Sequence, residues 1–143
     1  MKPIQFVLGA LKVIPLFLLG GCSALQAVNS VSKIYNVDVQ ENIAFDTHPA
    51  LKYDLYLPSD QHPEFETTPV IVFFYGGSWN RGDKSEYEFV GRRLASMGFI
   101  TAVPNYRLYP EVSYPDFLRD GAKSIAHLKT ERKKPQYNNL KPA

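Results

Sequence analysis

Residues Val70 to Trp79 read V-I-V-F-F-Y-G-G-S-W, and the rest of the chain is arranged around this stretch. Val70 to Phe74 is an unbroken apolar run of three β-branched and two aromatic residues. That composition predicts a strand buried on both faces, as in a parallel sheet. The run stops at Tyr75 and the pair Gly76-Gly77, followed by Ser78 and Trp79. Two adjacent residues without Cβ let the backbone turn sharply and approach closely whatever binds there.

Working outward, the upstream segment from Ile34 to Phe45 alternates imperfectly, which predicts a strand with one wet face. Asp46 to Pro49 is a turn cluster, and Leu51 to Leu57 alternates cleanly as a half-exposed strand should. These two strands are expected to form an antiparallel pair leading into the Val70 strand. Downstream, Asp83 or Ser85 is positioned to cap a helix whose stripe is Tyr87, Val90, Leu94 and Met97, ended by Gly98. Phe99 to Val103 is a further short strand closed by Pro104. Strand, helix, strand with short joints is the signature of a parallel crossover. After an aromatic and proline-rich loop, Asp116 is a candidate cap for a last helix with the face Phe117, Gly121, Ile125 and Leu128. From Lys129 on the periodicity is lost: five of the six residues to Lys134 are charged, and the remainder is polar.

Composition narrows the function. The 143 residues are 45% hydrophobic and 21% charged, enough for one modest domain. A formal net charge of +2, without basic residues interleaved among aromatics, gives no footprint for nucleic acid. A single cysteine excludes an intrachain disulfide within this sequence, and His48, His62 and His127 lack metal-ligand spacing, so no metal or other cofactor is expected.

The N-terminus reads as a targeting segment. Met1-Lys2 precedes an apolar run, densest from Val13 to Leu19 and broken by Lys12 and Pro15, too short to span a bilayer. Leu19-Gly20-Gly21-Cys22 resembles the bacterial lipoprotein cleavage box, which implies a signal peptide over residues 1–21 and lipidation at Cys22. The alternatives are a plain secretory signal and a buried N-terminal helix. Ser23, rather than aspartate, after the cysteine points to the outer membrane of a Gram-negative cell envelope. Residues 22–33 are small and polar and are expected to act as a tether, with the domain proper over 34–128 and a basic, polar tail over 129–143.

Two motifs together carry a second resemblance. Val72 to Trp79 and Asn105 to Tyr114 are similar to the esterase and lipase branch of the α/β-hydrolase family, secreted carboxylesterases in particular. In that branch a strand runs into a His-Gly-Gly-x-Trp loop, and an Asp-Tyr-Arg-Leu element lies further on. Here Tyr75 stands in place of the histidine and Asn105 in place of the aspartate. The resemblance spans about Val37 to Ala126. It implies the N-terminal part of an α/β-hydrolase fold: two antiparallel strands leading into a partly parallel sheet with flanking helices, ending before the nucleophile elbow. It also implies that Gly76, Gly77 and Ser78 form the oxyanion-hole loop and that Tyr75 and Trp79 are substrate-binding positions; the residue-level reading of Trp79 is packing beneath the loop. Arg107 and Asp120 are implied to be structural. The simpler reading of Gly76-Gly77 is a turn. Ser78 sits in this loop with no base beside it and is not expected to be a nucleophile. Asp120 and His127 both precede the place of the nucleophile and do not fit the triad's acid and base.

No Gly-x-Ser-x-Gly occurs in the 143 residues. The resemblance therefore implies a full-length serine esterase acting on small or medium carboxylic esters, of which this chain supplies the oxyanion loop and by itself turns over nothing. The abrupt loss of periodicity after Leu128 suggests a truncated or frameshifted gene. The rival expectation is a small, non-enzymatic envelope lipoprotein serving as a binding or structural module.

Overall fold

The computed structural model describes residues 21–59 and 68–133. The apolar N-terminal run, His62 and most of the C-terminal tail lie outside them. The elements in order are α1 (Gly21–Ser32), β1 (Val37–Ala44), β2 (Lys52–Pro58), β3 (Val70–Val72), a 3-10 turn (Lys84–Tyr87), α2 (Glu88–Ser96), β4 (Ile100–Pro104) and α3 (Asp116–Glu131). The strands form one sheet in the order β1-β2-β4-β3, antiparallel except for the β3–β4 pair. The expected antiparallel pair and parallel crossover are both present. What the local patterns did not foresee is that β4 lies between β2 and β3.

This placement changes how the strands are buried. β2 is central and buried almost throughout, not half-exposed. Tyr53, Leu55 and Leu57 face the layer to which α3 contributes Leu128. The opposite face, which the alternation marked as wet, is covered by α2. There Tyr56 occupies the space left by Gly91, whose missing Cβ would strike the Tyr56 ring. Asp54 on the same face is 4% exposed and is paired with Lys84. The Val70 strand shows the reverse. It is regular for three residues only and half-buried, because β4 is its one neighbour among the described residues. One further bond, Phe73 N–H to the Ala102 carbonyl (2.9 Å), extends the pairing, and Phe74 is 40% exposed.

The imperfect alternation of β1 has a structural cause. The β1–β2 register shifts between Gln40 and Ile43, and Asn42 sits at φ 60°. This bulge turns the Asn42 N–H to the Asp54 carboxylate at 2.8 Å. Ile34 falls outside the strand, in the turn after α1.

The helices also depart from the expected stripes. Residues 22–33, expected to be a tether, are helical through Ser32 and packed against α2. Asn29 accepts from the Phe89 N–H (2.9 Å) and donates to the Ser85 carbonyl (2.8 Å). It thereby caps the first turn of α2, which has no side-chain cap of its own. The buried positions of α2 are Gly91 and Ala95, whereas Met97 is exposed. In α3 the buried face is Asp120, Ser124, Leu128 and Glu131, which is mostly polar. Of the predicted face only Leu128 is buried; Phe117, Gly121 and Ile125 border an open cleft. The helix runs three residues beyond Leu128, to Glu131.

Because Gly91 is where α2 meets β2, Gly91→Ala should destabilise the domain by about 1–3 kcal/mol through overpacking. Urea unfolding of the variant beside the wild type measures this. An unchanged midpoint would mean that the two elements can separate freely.

Candidate active site

The glycine loop leaves the C-terminal end of β3 and forms one wall of a cleft of about 570 Å³. Phe74 to Trp79 and Tyr106 line one side, and Phe117, Leu118, Gly121, Ala122 and Ile125 of α3 the other. The walls are mostly apolar, and among the described residues no histidine lines the cleft.

Three consecutive residues of the loop have positive φ: Gly77 (144°), Ser78 (54°) and Trp79 (56°). For the two non-glycine residues this is an uncommon conformation that must be held by its surroundings. At Gly77 a Cβ would run into the Arg81 carbonyl, so only glycine fits. The loop is tied by the Asn80 N–H to the Gly77 carbonyl (3.1 Å) and by the Tyr109 N–H to the Trp79 carbonyl (2.7 Å). Among the described residues, none accepts a hydrogen bond from the N–H groups of Gly76, Gly77 or Ser78. Gly76 and Ser78 are exposed, so solvent or a ligand can take these donors.

Tyr75 is the floor beneath the loop. It is 3% exposed, with its ring between Tyr106 (4.9 Å) and Tyr87 (5.3 Å). Its hydroxyl donates to Asn105 Oδ1 at 2.8 Å, and its carbonyl accepts from the Tyr106 hydroxyl at 2.7 Å. Burial pushes the Tyr75 phenol well above its ordinary range, so it stays a neutral donor. Expected to contact substrate, Tyr75 instead commits its one polar side-chain group to the protein and borders the cleft without offering it a hydrogen bond. Trp79 moves the other way. It is 52% exposed and stacked on Phe117 (5.3 Å) at the rim, not packed beneath the loop.

The two positions that depart from the esterase pattern, Tyr75 and Asn105, are therefore bonded to each other. Asn105 also accepts from the Lys84 N–H (2.7 Å) and donates from Nδ2 to Asp83 (2.8 Å). Burial alone would raise the Asp83 carboxyl, but hydrogen bonds from Ser85 and Asn105 outweigh it and hold the group below its ordinary value. Sequence reasoning assigned Asn105 no role of its own and missed Lys84. The only available signal was that both motifs deviate at once.

Arg107 and Asp120 meet in a two-pronged pair, Nε to Oδ2 (2.8 Å) and Nη2 to Oδ1 (2.7 Å), with the Arg107 N–H adding a third contact at 3.2 Å. Asp120 is fully buried, and the pair locks α3 to the loop after β4. His127 contacts the Tyr53 hydroxyl (3.2 Å) and Glu131 (3.6 Å), and His48 pairs with Glu111 (2.9 Å). Ser78 has neither histidine beside it. Among the described residues no group of side chains could hold a metal ion.

A mixed sheet, a glycine loop at the end of its parallel strand and helices on both faces define the N-terminal portion of an α/β-hydrolase, with carboxylesterases as its homologues. More particularly, the BD-FAE family model matches residues 53–141, and the chain belongs to that family. The match runs through most of the tail that the loss of periodicity had set apart. The chain is 32% identical over 95 residues to the isoprenylcysteine alpha-carbonyl methylesterase of Arabidopsis thaliana, covering 66% of this chain and 22% of that protein. It is 33% identical over 107 residues to a gibberellin receptor of the same plant, covering 65% and 30%. Esterase B of Lactobacillus rhamnosis has the same fold, with a TM-score of 0.63 at 23% identity over 76% of this chain and 36% of that one. The chain thus spans about a fifth of the length of the methylesterases it matches.

Removing the guanidinium would strand a buried carboxylate. Arg107→Met should therefore cost about 3 kcal/mol, at the lower end for a broken buried pair because the arginine is partly exposed. Chemical denaturation measures this; a loss below about 1 kcal/mol would show that water replaces the arginine at no penalty.

Proposed function

We propose that this chain is the oxyanion-loop portion of a carboxylic ester hydrolase acting on small or medium esters. The observation that carries the reading is the set of unclaimed backbone donors, at Gly76 and Gly77, on the wall of an apolar cleft. Attack on an ester carbonyl puts negative charge on its oxygen. Donors already fixed in place near that oxygen stabilise the charge without reorganising. The apolar walls suit an acyl or alcohol group and exclude water, which strengthens each such bond. Trp79 and Phe117, stacked at the rim, offer the substrate a flat apolar contact. The chain's own share of the reaction is thus to bind the ester and stabilise the oxyanion. A serine nucleophile with its acid and histidine must come from elsewhere in a complete protein, since the 143 residues contain no nucleophile elbow.

The complete protein should hydrolyse short-chain nitrophenyl esters, and the 143-residue chain should not. Gly77→Ala in the complete protein keeps the backbone N–H but drives a Cβ into the Arg81 carbonyl. It should therefore move the loop's donors off the oxyanion and lower kcat by about 100-fold or more, with a smaller effect on KM. Unaltered turnover in that variant, or no turnover in the complete wild type, would defeat the reading.

A second reading, a non-enzymatic binding module, is favoured by one observation: a receptor stands among the relatives beside the esterases. Cooperative unfolding of the 143-residue chain, together with ligand capture in the cleft, would support it.

On location, we infer a lipid anchor at Cys22 that holds the protein to the cell envelope, the outer membrane in a Gram-negative source. The support is the Leu19-Gly20-Gly21-Cys22 box in the sequence, and several acyl chains bind far more firmly than one. No described helix is long and apolar enough to cross a membrane. Labelled palmitate should enter the wild type and not Cys22→Ala; equal labelling of both would remove the anchor.

A further inference from the structure

The glycine loop is pinned at both ends by one side chain. Asn105 is the first residue after β4, and its N–H donates to the Lys52 carbonyl at 2.9 Å, which fixes it to the sheet. Its Oδ1 accepts from the Tyr75 hydroxyl, at the entry to the loop, and from the Lys84 N–H, just past its exit. Its Nδ2 donates to Asp83 Oδ2. The orientation of the amide is dictated by its partners: a backbone N–H can only donate, and an ionised carboxylate can only accept. Leucine could serve neither. Aspartate could still accept from Tyr75 and Lys84, but its other oxygen would face the Asp83 oxygen at the 2.8 Å now spanned by a hydrogen bond. Two carboxylates so close must share a proton or repel.

We propose that Asn105 is the positioning residue of the glycine loop, an amide because Asp83 requires a donor, and that it holds the Gly76 and Gly77 donors in place from both ends. The proposal rests on the ester-hydrolysis reading for its purpose and on the hydrogen bonds for its geometry. Lys84 strengthens the clamp, since its Nζ is bonded to the buried Asp54 of β2 at 2.7 Å. The other charged groups around the loop are Glu41 of β1, Lys52 of β2, Glu88 of α2, Arg81 of the loop itself and Glu86 of the 3-10 turn. Wild-type protein, which carries the same groups, controls for their titration.

The test is amide hydrogen exchange on the complete protein, corrected for intrinsic rates, read at Asn80, Lys84 and Tyr109, whose N–H groups bond within or onto the loop. Asn105→Asp should leave these amides protected at about pH 5, where the carboxylates share a proton. Protection should fall about tenfold or more by about pH 8, one pKa unit of repulsion being tenfold in population. Amides of α3 should not follow, and wild type should show no such change. Adding Asp83→Asn returns a donor to the pair and should restore protection at the higher pH. Asn105→Asp protection that is independent of pH, or a double variant as loose as the single one, would overturn the proposal. Because exchange rather than turnover is read, failure here leaves the ester reading standing, and an inactive complete protein leaves this one standing.

Discussion

A lysine and an aspartate taken out of water together set the terms for the rest of this structure. Asp54 and Lys84 are 4% and 7% exposed and lie 2.7 Å apart. Each charge alone in that position would cost several kcal/mol, so neither can occupy it without the other. Asp54 is on the central strand, and it also accepts the Asn42 N–H from the β1 bulge. Lys84 is the residue at which the glycine loop returns to the body of the domain. The pair therefore fixes where the loop ends relative to β1 and β2. A buried pair of this kind adds little net stability over an apolar replacement. Its contribution is to leave one arrangement in which both charges are satisfied.

Around that anchor the support of the site is built mostly from tyrosine. Tyr75, Tyr87 and Tyr106 stack beneath the loop, supplying apolar area and, from Tyr75 and Tyr106, hydroxyls that reach partners. An esterase pattern with histidine and aspartate at positions 75 and 105 is here replaced by tyrosine and asparagine, two neutral partners. The support is thereby separated from the donors it holds: side chains are consumed below, and backbone N–H groups are left open above.

The outer side of the cleft depends on a second charge pair. Arg107 and Asp120 draw the polar face of α3 inward, which turns Phe117, Leu118 and Ile125 toward the open side next to the exposed Phe74. An apolar surface and a polar buried face on one helix follow from the same constraint. β3, the edge strand among the described residues, leads through Phe73 into Phe74 and the glycine loop on the cleft wall.

Much of the fold was legible in the sequence because it rests on local chemistry. Alternation located β2, the apolar run located β3, and Gly98 marked the end of α2, each through the backbone conformation the residues favour. The two-motif pattern pointed to the hydrolase family for a related reason: a glycine pair after a strand has few uses. The paired motifs also placed the candidate loop at Gly76 and Gly77, though not the side chains that hold it. Tertiary structure alone decided that β4 lies between β2 and β3, and so buried both faces of β2, one of which the alternation marks as wet. It alone decided that α3 buries Asp120 and Ser124, because Arg107 compensates a charge that hydrophobic spacing counts as solvent-facing. It alone brought Tyr75 to Asn105 across thirty positions. Periodicity records what a residue prefers by itself; which partners satisfy it is settled only when distant segments meet.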